Sequence, residues 1–76
     1  MTFTHLSAQK DIQGGKMCIK GTRISVDVLL EWLADGTTQE EITALYPLVT
    51  KEAIAEALRY ASMLSRNEIL LEDVAA

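Results

Sequence analysis

Lys16, Lys20 and Arg23, with Thr22 beside them, lie among Gly14, Gly15 and Gly21 near the start of the chain. Three cations and a hydroxyl next to glycines, whose amides can approach an anion closely, are the groups from which phosphate contacts are built. A cation that neutralises a DNA phosphate acts mainly by releasing counterions, so binding built this way weakens steeply with salt. The same residues admit a purely structural reading, in which the glycines supply turn geometry and Arg23 pairs with a downstream acid. On that reading the segment is a dimerisation arm.

Catalytic chemistry has little to build on. His5 is the single histidine and Cys18 the single cysteine, so the chain can form no internal disulfide and lacks the common zinc ligand sets. Cys18 stands inside the apolar triplet Met17-Cys18-Ile19 and is expected to be buried. No phosphate-loop, paired His-Glu-His or serine-elbow pattern occurs. The expectation is a non-enzymatic protein without metal or cofactor.

The charge distribution is lopsided. The 76 residues include 7 basic and 11 acidic ones, a net charge of −4. Residues 1–25 hold Lys10, Lys16, Lys20 and Arg23 against Asp11 alone, a local charge of +3, and residues 26–76 hold three cations against ten acids, or −7. A basic third joined to an acidic remainder points to separate surfaces for separate partners.

These groups must be positioned by a small fold. A chain of this length hides only about 60–65% of its unfolded surface, and its core supplies roughly 3–5 kcal/mol of net stability. With 49% hydrophobic residues and no cross-link to draw on, a homodimer is the expected remedy. No apolar run approaches the roughly 20 residues of a membrane span, so no membrane association is expected. Free cysteine chemistry and the polar start of the chain lead to the expectation of a cytoplasmic location.

The first 25 residues read as short strands separated by turns, at Thr2-Phe3-Thr4, Met17-Cys18-Ile19 and Arg23-Ile24-Ser25. A helical period then takes over. Val26, Leu29, Leu30 and Leu33 form one stripe, with Ser25 as N-cap and Asp35-Gly36 as the stop. Val28 and Trp32 add a second ridge, so this helix is expected to be buried on more than one side, and Ile24, Val28 and Trp32 are the candidate dimerisation residues. Thr38-Gln39-Glu40-Glu41 is a capping box opening a second helix, which Tyr46-Pro47 ends. Thr50 opens a third, along Ile54, Ala57, Leu58 and Ala61, with Asn67 as its expected close. The predicted fold is mainly α: a three- to four-helix, helix-turn-helix or homeodomain-like bundle with a short N-terminal β segment. One domain comprises the arm 1–25, the bundle 26–66 and an apolar tail 67–76.

As a recognition helix, the third helix would turn Lys51, Glu52, Ala55, Glu56, Arg59 and Tyr60 outward. Thr50 and Lys51 suit DNA, whereas Glu52 and Glu56 would repel it. The acids Glu31, Asp35, Glu40, Glu41, Glu52 and Glu56 form an alternative surface for a basic protein partner. Ile69, Leu70, Leu71 and Val74 are the candidate partner-binding residues of the tail.

The run Gly14-Gly15-Lys16-Met17-Cys18-Ile19-Lys20-Gly21-Thr22-Arg23-Ile24, with Glu40-Glu41-Ile42, Tyr46-Pro47, Thr50, Ile54, Ala57-Leu58 and Tyr60-Ala61, closely resembles the bacterial family called domain of unknown function 433. The resemblance spans about residues 5–62. Met17 and Ser25 stand where that family usually or often has proline. The resemblance implies a small helix-turn-helix protein preceded by a strand segment, and an antitoxin of VapB type paired with a toxin related to PIN-domain nucleases. The functional expectation is thus an antitoxin-like protein that binds promoter DNA through Lys16, Lys20, Thr22, Arg23, Thr50 and Lys51 and a PIN-like toxin through its acidic helices and tail. The competing expectation is an interaction module that does not bind DNA.

Overall fold

The computed structural model describes the backbone of residues 3–75 and the side chains of residues 3–66. Its N-terminal arm is an antiparallel hairpin of β1 (Leu6–Ala8) and β2 (Met17–Ile19), with Leu6 opposite Ile19 and Ala8 opposite Met17. The second strand lies where the sequence predicts it. The first does not: it begins at Leu6 rather than at Thr2-Phe3-Thr4. Pairing with β2 puts Leu6 into the core, and Phe3 instead packs edge-on against Tyr60, ring centroids 5.8 Å apart. The expected third strand at Arg23–Ser25 is reduced to a single bridge between Cys18 and Ser25, reinforced by the Ile19 N–H donating to the Ile24 carbonyl at 2.9 Å.

Three helices follow: α1 (Val26–Ala34), α2 (Gln39–Leu45) and α3 (Lys51–Ala75). Their ends show which local signals the chain obeys. Gly36, at φ +97°, lets α1 close with the Gly36 N–H on the Leu33 carbonyl and the Thr37 N–H on that of Trp32, a Schellman arrangement. The predicted capping box of α2 forms in full. The Thr38 hydroxyl accepts from the Glu41 N–H, and Glu41 accepts from the Thr38 N–H. The Thr38 N–H first and the Thr38 hydroxyl second, both donating to the carboxylate, hold the Glu41 carboxyl below its usual range. Thr50 caps α3 by accepting the Ala53 N–H at 3.1 Å. At α1, by contrast, Ser25 occupies the N-cap position but its hydroxyl donates to Asp27, whose carboxylate in turn accepts the Val28 N–H.

Leu6, Ile19, Val26, Leu29, Ile42, Val49, Ala53, Ile54 and Ala57 form one core that joins the hairpin to all three helices. Fully burying a large aliphatic side chain such as Leu29, Ile42 or Ile54 stabilises by about 1.5–3 kcal/mol. Within the single chain α1 is buried on one side. Val28 reaches the surface, while Trp32 is half-buried and stacks on Tyr46 of its own chain, centroids 5.3 Å apart and planes within 6°. Nor does α3 close at Asn67, because asparagine in a helix interior costs less than about 0.7 kcal/mol and no glycine or proline follows to stop propagation. Residues 67–75 continue the helix of the bundle rather than forming a separate element.

Candidate functional site

The cations of the arm occupy two turns with different surroundings. In the first, Gln13–Gly15 form a short 3-10 turn in which Gln13, Gly14 and Gly15 all have positive φ. This turn delivers Lys16 to Asp27 at the start of α1, with Nζ 3.2 Å from Oδ2. The Ser25 hydroxyl and then the Lys16 ammonium hold the Asp27 carboxyl below its ordinary value. Lys16 therefore has a carboxylate partner before any phosphate approaches.

The second turn is Ile19–Thr22, closed by the Thr22 N–H on the Ile19 carbonyl at 3.0 Å, with Gly21 at its third position and φ +80°. Only glycine takes that conformation cheaply. Both functions of the Thr22 hydroxyl serve the turn: it donates to the Ile19 carbonyl at 2.8 Å and accepts the Ile24 N–H at 3.0 Å. Thr22 thus shapes the site and offers little to an outside anion. Lys20 and Arg23 are exposed, and among the described residues neither side chain has a carboxylate within ion-pair distance.

This second turn packs on the connection between α2 and α3. A Cβ placed on Gly21 would lie 3.8 Å from Leu48 Cδ1. Leu48 belongs to the segment Tyr46–Thr50, which is held by the Val49 N–H on the Tyr46 carbonyl and by the Thr43 hydroxyl on the Val49 carbonyl. The result is one corner of the molecule built from the Gly21 turn through Ile24 and the α2–α3 connection, beyond which the exposed Lys51 opens α3. Of the candidate phosphate ligands, the structure holds Lys20, Thr22 and Arg23 in or just after the Gly21 turn, places Thr50 and Lys51 at the start of α3, and draws Lys16 away to Asp27. Thr50 is committed to capping.

The corner is also apolar. Leu45 is 72% exposed and Leu48 63%, and with Ile24, Tyr46 and Pro47 they line a groove of about 360 Å³ whose rim carries Arg23. A second cleft of similar volume, between the first turn, α1 and α3, includes Met17, Leu30, Tyr60 and Leu64, with the Lys16–Asp27 pair at its edge.

Two of the predicted outward residues of α3 face inward. Glu56, whose side chain is only 13% exposed, accepts the His5 backbone N–H at 3.0 Å, and its other oxygen lies 3.7 Å from His5 Nε2. It fastens the hairpin to α3, a role no local pattern announces, since the two residues are 51 positions apart. Tyr60 packs on Phe3 and the core. Removing Glu56 from the outer face leaves Lys51, Glu52 and Arg59 exposed there.

Of the dimerisation candidates, Ile24 is half-buried against the core, Val28 is at the surface and Trp32 is engaged by Tyr46. The tail residues Ile69, Leu70, Leu71 and Val74 lie outside the described side chains. Among the described residues, no three of His, Cys, Asp and Glu come together as a metal site, and no helix is long and apolar enough to cross a membrane.

Residues 7–61 match the family model described as "Protein of unknown function (DUF433)". Among solved structures, the crystal structure of a DUF433 member protein from Anabaena variabilis is similar over 95% of this chain and 69% of its own, at 26% identity and a TM-score of 0.74. No curated protein matches the chain.

Proposed function

The chain belongs to the DUF433 family, and on that premise we propose that it is an antitoxin-like protein that binds duplex DNA through Lys20 and Arg23 at this corner, with Lys51 at the start of α3, and a nuclease-like protein partner through its acidic helix faces. The observation that carries the DNA half is the packing of the Gly21 turn on Leu48. It sets Lys20 and Arg23, which among the described residues have no carboxylate within ion-pair distance, beside the connection of an α2–turn–α3 unit. Lys20 and Arg23 then contact phosphate and set register, with Lys51 reaching the groove edge. Glu31, Asp35 and Glu40 are exposed along α1 and α2, on the acidic part of the chain, and favour capture of a basic partner.

Fluorescence anisotropy with a labelled duplex from upstream of the protein's own gene tests this reading. Binding at low salt that weakens as salt rises, and that is lost in a Lys20→Ala, Arg23→Ala variant, is expected. No binding at low salt, or binding indifferent to both substitutions, overturns it. The exposure of Leu45 and Leu48 favours a second reading, an interaction module without DNA binding. Co-purification with the product of the adjacent gene and no duplex binding would select that one.

A further inference from the structure

Among the described residues no element covers the groove at the corner, and its chemistry restricts what can fill it. Ile24, Leu45, Tyr46, Pro47 and Leu48 offer apolar surface, Arg23 and the neighbouring Lys20 give the rim positive charge, and among the described residues no carboxylate lines the groove. In a chain of net charge −4, a basic apolar groove is the exception. Its complement must present leucine-like side chains next to carboxylates.

The chain's own C-terminal segment has that composition. Read from the sequence alone, Ile69, Leu70, Leu71 and Val74 are interspersed with Glu68, Glu72 and Asp73. The segment cannot reach the groove of its own molecule. The groove adjoins the start of α3, and α3 runs unbroken from Lys51 to Ala75, which at 1.5 Å per residue separates the two ends by roughly 36 Å. Along the described side chains of α3, Ala53, Ile54 and Ala57 are buried, whereas Leu64 is 54% exposed.

We infer that the groove is the seat for the C-terminal segment 68–74 of a second copy of this chain. Two molecules with their α3 helices antiparallel exchange these segments reciprocally, as a two-fold pair requires. Leucines of one copy cover Leu45 and Leu48 of the other. Glu72 and Asp73, with the negative end of the helix dipole, meet Lys20 and Arg23. This assigns the dimer contact to the corner and the tail, in place of Val28 and Trp32. Where the corner also serves DNA, which rests on the function proposed above, the exchanged segment and a phosphate backbone compete for the same two cations.

Sedimentation equilibrium on the full-length chain, without DNA, tests the exchange, with circular dichroism confirming that each variant keeps its helix content. Wild type should dimerise with concentration. Leu45→Ser and Leu48→Ser each remove an exposed apolar contact and should raise the dimer dissociation constant by about tenfold. Lys20→Glu with Arg23→Glu, and separately Glu72→Lys with Asp73→Lys, should each weaken dimerisation by about threefold or more. Combining all four charge reversals should recover most of that loss, a result that only opposed placement of the two pairs produces. A chain monomeric at all concentrations, serine variants that dimerise like wild type, or a combined reversal without recovery would overturn the inference. Because no duplex is present, this failure and failure of the DNA reading are separately visible.

Discussion

The two glycine-bearing basic turns of the arm look alike in sequence and are opposite in use. At Gly14-Gly15-Lys16 the cation is consumed within the fold, bound to Asp27 and fixing the entry to α1. At Lys20–Arg23 the backbone and the Thr22 hydroxyl consume the internal hydrogen bonds, and the cations are left to solvent. Gln13 ties the two together: its side-chain amide donates to the Arg23 carbonyl at 2.9 Å, helping to hold a residue whose own φ is +50°. The lesson is that glycine beside lysine identifies a turn but not a ligand site. What separates the two turns is whether a carboxylate lies within reach, and that is decided by tertiary placement of α1.

The contrast can be broken most decisively on DNA. Alanine at both Lys20 and Arg23 should lower the slope of log affinity against log salt by about two, and Lys16→Ala should leave it unchanged. Equal loss from both turns would erase the distinction. Next in size is the hydroxyl that builds the second turn. Thr22→Val strands the Ile24 N–H, while the Ile19 carbonyl keeps the Thr22 N–H, and should cost about 1–3 kcal/mol in urea unfolding. The glycines follow. Gly15→Ala and Gly21→Ala each force a side chain into positive φ, at about 1 kcal/mol or somewhat more, with no steric difference to separate them, since the added Cβ meets nothing at Gly15 and only ordinary contact at Gly21. A large excess at Gly21 would show the corner to be tighter than its contacts imply.

The smallest effect is acidic. Asp27 has its carboxyl lowered from an ordinary value of 3.8 by Ser25 first and Lys16 second. A group depressed on folding contributes stability that is fully present above pH 3.8 and is lost as pH falls through its lower folded value. Both members of the pair are well exposed, so the contribution is slight. Asp27→Asn should flatten only the acid limb of the stability profile below about pH 4, measured by thermal melts across pH.

Much of this was legible locally. The capping box at Thr38, the stop at Gly36 and the N-cap at Thr50 are decided within four residues, and β2 was marked by an apolar triplet between glycine turns. Helical periodicity turns Glu56 and Tyr60 outward because it assigns a face without knowing that His5 and Phe3 pack against α3 there. The same blindness set β1 too early: Phe3 suits a strand, but Leu6 wins the pairing because it shares the core with Ile19. Of the candidate site, the residue types at Lys20–Arg23 were legible. Their separation from Lys16 and their union with Leu45 and Leu48 were not, because both depend on contacts between distant segments.

The burial of Cys18 gives the molecule an internal gauge of its own integrity. The thiol is 2% exposed, donates to the Lys16 carbonyl, and has its pKa pushed up by burial first and by the Asp27 carboxylate second, against the opposing pull of Lys16. An alkylating reagent meets a reactive thiolate only when the packing around β2 opens, so the labelling rate of this one sulfur in the wild-type chain measures that opening.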